Sequence, residues 1–432
     1  MSSFFRSATR KNGASALVDQ GIISGLNLLT FLMLARWMPS DTFGIYVLAF
    51  SIILFAQTIQ HALITRAHNV IGASMEAHDF GPFTRSVLLL VGVFSIVLVA
   101  LALLIWIPLE IWTSTDVSEA ALGLAIALVP WLLQDAVRRV FYSSERIKSA
   151  ACNSFISYSL QATSVIIMMR LSLQSSQVLV FSVMGFSSLA AAMVGLFQLR
   201  KDLFNHPLEF DAVKEDAKRL WTFGKWLTTG ELVGWMGQNG NTWIIGALMG
   251  APLVAAYRAA TYITNLLNPL DLAVSNYLPV KAAQIHRSEG KEALLSWIRK
   301  MTLTLCVPYA VLVAGISLGS YQLLDLFYDE RYVSDLLALV LTIAAVSRLF
   351  AFAASFFRLG LMAEENTRPI LSSQFLALVL YSILGTAMIA WLGIAGAPLA
   401  RIGLHTVVGL FLYRALSGRN VSFKATFNPS AQ

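Results

Sequence analysis

Asp19, Glu231 and Asp271, together with Arg258, Arg348 and Arg401, stand in stretches of this sequence that are otherwise nearly free of charge. An ionisable side chain amid a run of apolar residues costs about 2.5–3.5 kcal/mol to place in a membrane, and such groups face a partner or a water-filled path. The three carboxylates are candidates for coupling an ion. The three arginines count against a cationic cargo. Spacing adds uncharged polar groups to this set. Thr228, Glu231, Trp235, Gln238 and Thr242 recur at helical intervals on one face, and Arg258, Thr261, Tyr262, Asn265 and Asn268 form a second such face. Gln20, Ser24 and Asn27 repeat the pattern near the start of the chain, and Gln57, Gln60 and His61 do so further on. Facing inward, these groups would line a hydrated cavity. The bland alternative is that the amides and hydroxyls hold helices together in a dry bundle.

The elements that must carry these faces are membrane helices. Of 432 residues, 57% are hydrophobic and only 13% charged, about half the charge of a soluble domain. Uncharged runs such as 87–107 and 375–400 are long enough to cross about 30 Å of hydrocarbon. The short alternating segments of a β-barrel do not occur. Polar and Pro/Gly punctuation predicts about twelve spans, near 14–36, 43–65, 84–108, 120–142, 150–170, 177–198, 221–247, 252–280, 301–325, 334–357, 369–392 and 395–416. Pro269 is expected to kink the eighth.

Lysines and arginines orient the spans, because their excess marks cytoplasmic loops. With the N-terminus inside, all but six of the 31 basic residues fall on the inner side. Arg36, Arg170 and Arg331 lie outside, and Arg258, Arg348 and Arg401 lie within spans. The alternation holds to the end of the chain, which puts both termini in the cytoplasm. The formal charge of +7 is therefore topological, and no nucleic-acid partner is expected. Residues 1–13 lack the cleavage pattern of a signal peptide and read as a lead-in to the first span. Cys152 and Cys306 both fall in spans, so neither a disulfide framework nor a thiolate metal site is expected. The histidines are scattered, and no hydrolase triad, phosphate-binding glycine loop or metal-ligand cluster is present. The sequence thus predicts no catalytic residue, no metal and no cofactor. Asp135 reads as a local ion pair with Arg138 and Arg139. Arg401 and His405 read as reaching the outer interface, whereas Arg348, near mid-span, cannot easily do so.

The chain also repeats itself. RWMPSDTFGIYVLAF (36–50) falls on ALMGAPLVAAYRAAT (247–261) at an offset of 211, and RRVFYSSERIKSA (138–150) falls on RLGLMAEENTRPI (358–370) at an offset of 220. Glu145 then meets Glu365. Six spans followed by six give both halves one orientation, with a pseudo-two-fold along the membrane normal. The expected organisation is an N-terminal six-helix bundle over 1–198, a cytoplasmic linker over 199–220 and a C-terminal bundle over 221–432. A central cavity lined by spans 1, 2, 7 and 8 would lie between the two bundles.

These stretches carry a resemblance. ARWMPSDTFGIY after a first span resembles the turn typical of the polysaccharide-unit flippases, a family of the multidrug/oligosaccharidyl-lipid/polysaccharide exporter superfamily. YRAATYITNLLNPLDLAVSNYLPVKAA resembles that family's Y-x-x-A run ending in proline, and FYSSERIKSA resembles its loop between the fourth and fifth spans. Val254-Ala255 depart from the pattern, since many members carry a glycine there. The resemblance spans the chain. It implies a multi-pass protein of the bacterial cytoplasmic membrane that moves a polyprenyl-pyrophosphate-linked oligosaccharide outward by alternating access. Its partners would be the lipid-linked oligosaccharide, membrane lipids and other polysaccharide-assembly proteins. On this reading the cavity residues are Gln20, Asn27, Gln57, Glu231, Gln238, Arg258, Asn265, Asn268 and Arg348. Arg258 would hold the pyrophosphate, with Arg348 as a deeper partner, because the planar guanidinium donates to two oxygens at once. Asp19, Glu231 and Asp271 would couple an ion.

Three other functions are open. A drug or cation exporter of the same fold would favour an acidic, aromatic cavity. A polysaccharide polymerase or ligase would carry a large external loop. The related flippase of the peptidoglycan precursor would have more than twelve spans. The topology itself is testable. Reporters fused after Asp116 and Asp329 are expected to read outside, and those after Lys148 and Lys291 inside. One pair in the reverse sense would overturn the span count.

Overall fold

In hydrocarbon a backbone has no water to bond, so each segment must satisfy its own N–H and C=O groups. The computed structural model describes residues 2–72, 75–112, 114–203, 209–366 and 368–418, and these residues meet that demand as helices. The expected linker residues 204–208 and the expected cytoplasmic tail 419–432 lie outside the described residues. Twelve long helical rods follow in order. The first six are α1 (Ser2–Trp37), α2 (Ser40–Gly72, with a π turn at His61–Thr65), α3 (Ala77–Trp112), α4 (Thr115–Ser143), α5 (Ile147–Arg170) and α6 (Gln177–Leu203). Next come α7 (Phe210–Met249) and α8, which starts as Ala251–Tyr262, passes through the 3-10 turn Ile263–Leu267 and resumes at Asn268. Gly290, with φ 84°, breaks α8 from α9, which ends at Leu318. A short helix, Ser320–Tyr328, precedes α10 (Asp335–Ala363). Then α11 runs as Arg368–Leu380, a π turn Tyr381–Gly385 and Thr386–Leu392, and α12 spans Gly396–Leu416.

Eight of these rods fall within helices that are apolar and long enough to cross a membrane: α2, α3, α4, α6, α9, α10, α11 and α12. The other four are α1, α5, α7 and α8. Three of them carry the polar faces read from the sequence, and α5 shows the dry alternative. Its Asn153 Nδ2 donates to the Ala191 carbonyl at 2.7 Å and its Oδ1 accepts from Gln134 at 2.7 Å, while Ser157 meets Ser188 at 3.4 Å. All five residues are buried or nearly so, so these polar groups tie α4, α5 and α6 together.

By packing, the chain forms two compact units. One comprises residues 1–235 with 249–256, and the other 236–248 with 257–432. In the first, α4 is the hub, packed by α2, α3, α5 and α6, while α1 lies on α5. In the second, α10 is the hub, packed between the Asn268–Leu318 helix and α12. The changeover therefore falls within α7, whereas the expected boundary lay at 199–220. The reason is local: Gly224 allows α7 to approach the backbone at Ala62 and Leu63 of α2, and Trp235 sets its ring against Phe55 at 4.8 Å. Ahead of its span, α7 also buries part of Asp216. Burial lifts this carboxyl above the usual range, opposed by a hydrogen bond with Ser86 and by Arg219.

The repeat is written in the backbone. After α4, Glu145 takes φ 58°, and after α10, Glu365 takes φ 57°. Arg146 N–H donates to Phe141 O at 2.8 Å and Glu145 N–H to Tyr142 O at 3.1 Å; Asn366 donates to Leu361 at 2.9 Å and Glu365 to Met362 at 3.1 Å. Both turns are the same left-handed helix terminator, a position usually held by glycine. At the earlier offset, Phe43 N–H meets Pro39 O at 2.8 Å and Val254 N–H meets Gly250 O at 3.4 Å. The two helix starts so formed touch within the first unit. A Cβ on Gly44 would strike the Ala251 backbone, carbonyl included, and backbone cannot yield as a side chain can. Gly44→Val is therefore expected to destabilise the first unit by about 1–3 kcal/mol, read as a lower midpoint of thermal unfolding in detergent. Gly234→Ala, where a Cβ meets nothing within 4 Å, is expected to leave the midpoint unchanged.

Candidate functional site

Each unit gathers its intramembrane charges in its own way. In the first, Asp19 of α1 is fully buried. Its Oδ2 accepts from Arg138 Nη1 at 3.2 Å and from the Tyr142 hydroxyl at 2.5 Å. Arg138 turns its other nitrogen to Asp135 Oδ1 at 2.9 Å, and Arg139 Nε donates to Asp135 Oδ2 at 3.0 Å. The helical spacing that predicted a local ion pair is thus realised. It is one side of a larger network, because His61 Nε2 lies 2.5 Å from the same Asp135 oxygen. Two buried carboxylates and two arginines neutralise each other, and His61 begins the π turn of α2. Such turns recur at functional sites. Asn27 of α1 hydrogen-bonds with Tyr158 of α5. Glu231, on the part of α7 that belongs to this unit, meets Arg66 Nη1 at 2.5 Å. Both of those side chains are about two-fifths exposed, so this pair adds little stability.

In the second unit, Arg348 of α10 donates Nη2 to Asp271 Oδ2 and to Asn268 Oδ1, each at 2.5 Å. Both acceptors lie just past the 3-10 turn of α8, so Arg348 clasps the helix where Pro269 interrupts its hydrogen bonding. Tyr309 of α9 borders the pair and stacks on Phe352 at 4.0 Å. Arg401 turns inward to α7, donating to the backbone carbonyls of Gly237, at 3.5 Å, and of Gln238. This differs from the interfacial placement expected from its position near the start of the last span. Asn241 explains it. With its amide oriented to pair donors with acceptors, Asn241 Oδ1 accepts from Arg401 Nε at 2.7 Å and from the Tyr257 hydroxyl at 2.9 Å, and its Nδ2 donates to Tyr381 at 2.8 Å. Arg258 stands apart from all of these. Its Nε is buried with no hydrogen-bond partner, and its guanidinium lies 6.0 Å from the Tyr262 ring.

All three carboxylates proposed for ion coupling are therefore engaged by arginine: Asp19 by Arg138, Glu231 by Arg66 and Asp271 by Arg348. Of the expected cavity residues, Asn268 and Arg348 touch each other, and Gln238 contributes its backbone oxygen to Arg401. Gln20 donates to Ser24 Oγ at 3.3 Å. Gln57 and Asn265 are partly exposed and join neither charged cluster. A cavity of about 430 Å³ lies elsewhere in the first unit, between His78, Thr84, Arg146 and Asp202, and none of the expected residues lines it. Sequence reasoning missed the His61–Asp135 and Arg138–Asp19 links and the Asn241–Arg401 bond. Each joins different helices, and no spacing rule reports such pairs.

This architecture has known counterparts. It matches the lipid II flippase MurJ in an inward closed conformation with a TM-score of 0.71 at 15% identity, over 93% of this chain and 87% of that one. It matches an inward-facing multidrug resistance MATE family transporter of the MOP superfamily with a TM-score of 0.71 at 14% identity, over 94% and 98%. A MOP superfamily transporter from Pyrococcus furiosus follows with a TM-score of 0.63 at 14% identity, over 95% of each chain. No curated protein matches the sequence. The chain shares the fold of these three structures. The family model described as polysaccharide biosynthesis protein matches residues 9–275, and the chain belongs to that family.

The network around Asp135 gives a direct test. Removing this charge leaves Arg138 with Asp19 alone and takes from Arg139 its carboxylate partner, and breaking a buried pair in this way typically costs about 3–5 kcal/mol. Asp135→Asn is expected to lower the unfolding midpoint and the membrane abundance sharply. Glu231→Gln, at its half-exposed pair, is expected to change neither. Equal effects of the two substitutions would show that burial does not govern these pairs.

Proposed function

We propose that this protein is a flippase that moves a polyprenyl-pyrophosphate-linked oligosaccharide across the cytoplasmic membrane for surface polysaccharide synthesis. Its membership of the polysaccharide biosynthesis family supports the cargo class, and the MOP-superfamily fold supports transport as the activity. The observation that carries the reading is Arg258. A guanidinium whose Nε is buried without any acceptor is costly unless a ligand supplies the anion, and a pyrophosphate does so in bidentate form. Alternating access by the two halves, with the polar faces of spans 1, 2, 7 and 8 toward a central path, belongs to this reading. So does drive by an ion gradient or the membrane potential through Asp19, Glu231 or Asp271.

An exporter of cationic drugs is the second reading, and the charges speak against it. Arg258, Arg348 and Arg401 all belong to one unit, and among the described residues Asp271 is the only acid paired with any of them.

The test is export in cells lacking the chromosomal copy, assayed as surface polysaccharide together with inner-leaflet lipid-linked units. Arg258→Gln is expected to lower export about tenfold or more at normal protein abundance, as loss of a charge-assisted hydrogen bond predicts. Arg258→Lys is expected to restore only part of it, since lysine lacks the fork. Full export by Arg258→Gln at wild-type abundance would return this residue to a membrane anchor.

A further inference from the structure

Each unit has a corner where its hub helix ends on a left-handed glutamate, and the repeat makes the two corners comparable. In the second unit, Glu364 precedes that glutamate and Lys291 opens α9 directly after Gly290. Their side chains form an ion pair at 3.0 Å, with the Glu364 side chain only 10% exposed. In the first unit, Ser144 stands where Glu364 does, and its hydroxyl turns back to the Val140 carbonyl of its own helix at 2.8 Å. Here the corner is the cavity of about 430 Å³ where the ends of α3, α4 and α6 meet, a volume in the range of ligand pockets. The helices around it are clamped. A Cβ on Gly81 of α3 would strike the Asp202 carbonyl of α6, and Arg146, after α4, holds the Asp202 carboxylate at 2.8 Å.

The lining divides by chemistry. Phe80, Pro82, Val140 and Leu199 give it an apolar wall, and its ionisable members are His78, Arg146 and Asp202. Thr84 is already engaged by His68 at 2.9 Å, and His78 faces Asp79 at 3.3 Å and Glu76 at 3.5 Å. One guanidinium and one carboxylate therefore remain to meet a ligand, each about two-fifths exposed. A pair so exposed adds little stability, so a ligand parts it at small cost. Pro82 has no N–H to give the His78 carbonyl, which adds an acceptor to the wall. Along the same helices, Leu89 and Val93 of α3 and Val194 and Phe197 of α6 are exposed apolar side chains, which puts lipid within reach of the rim.

We infer that this cavity binds the headgroup of a zwitterionic phospholipid of the phosphoethanolamine type, one phosphate joined through two carbons to a primary ammonium. Arg146 takes the phosphate through paired N–H groups, and Asp202 with the His78 carbonyl takes the ammonium. The apolar wall takes the glycerol end of the lipid. The inference is independent of the cargo, and it takes the side of the membrane, the inner one, from the excess of lysine and arginine around these helix ends. A purely anionic headgroup would set its phosphate against Asp202 with no ammonium to answer it. A choline headgroup has no N–H to donate. Free phosphoethanolamine offers the same polar contacts without the apolar part.

The experiment follows thermal unfolding of the full chain in detergent, titrated with dihexanoyl phosphatidylethanolamine, the matching phosphatidylcholine and phosphatidylglycerol, and free phosphoethanolamine. The ethanolamine lipid is expected to raise the midpoint with a half-saturation about tenfold or more below that of each other compound. Arg146→Gln and Asp202→Asn are each expected to leave the midpoint without lipid nearly unchanged, as a half-exposed pair predicts, and to weaken the response to the ethanolamine lipid about tenfold. Ser144→Phe fills the cavity while keeping both charges, covers the case in which a charge variant fails to fold, and is expected to abolish the response. Equal responses to all three lipids, or an undiminished response in Ser144→Phe, overturn the site. Free phosphoethanolamine acting at the same concentration as the lipid overturns a lipid as its occupant.

Discussion

A charge placed within a membrane-spanning helix must find its counterion inside the protein, because the hydrocarbon around it offers none. The organisation of both units follows from how that requirement is met. In the first unit the balance is complete: Asp19 and Asp135 face Arg138 and Arg139, with His61 at the edge, and Glu231 meets Arg66. The network joins α1, α2 and α4, so the polar start of α1 is held by the hub of its own unit. In the second unit the balance fails. Asp271 pairs with Arg348, and among the described residues neither Arg258 nor Arg401 has a carboxylate partner. An excess of buried cation is unstable by itself and is the kind of feature that function preserves.

Polar groups are also spread unevenly over the rods. Of the four rods outside that apolar set, α5 places Asn153, Ser154, Ser157 and Gln161 against protein, whereas α1 leaves Gln20 exposed and α7 leaves Glu231 partly so. The apolar rods expose large apolar side chains, as α3 does with Ile96, Leu104 and Ile111 and α11 with Trp391. A polar face is thus of two kinds. On α5 it is fully paired and buried, so it serves as adhesive. On α8 it carries both a satisfied segment, at Asn268 and Asp271, and an unsatisfied one, at Arg258.

The repeat gives both units one scaffold, and the differences between them lie in side chains. α4 and α10 are hubs of equal length, each closed by a left-handed glutamate at matching positions. That turn imposes backbone strain that glycine would relieve, and it recurs where each hub helix ends. The scaffold is shared, but α4 carries an acid with two arginines one turn on, whereas α10 carries Arg348 alone in mid-span. Duplicated backbones hold a neutral cluster in one unit and a cationic one in the other.

The number of spans, the order of features in the two halves and the family were legible in the sequence, because they rest on local quantities: run length, composition and the recurrence of short motifs. The pairing of Asp135 with Arg138 and Arg139 was legible for the same reason, since all three lie within one turn of one helix. What the tertiary structure alone decided is which charge meets which across helices. Asp271 was read as a possible coupling acid and Arg348 as a ligand for cargo, and the fold brings them together at 2.5 Å. Arg401 was read as an interfacial residue, and Asn241 on another helix draws it inward. A helix's own spacing fixes which residues share a face. The rotation and depth at which that face meets its neighbour come from the packing of whole side chains, and a sequence read one segment at a time does not contain them.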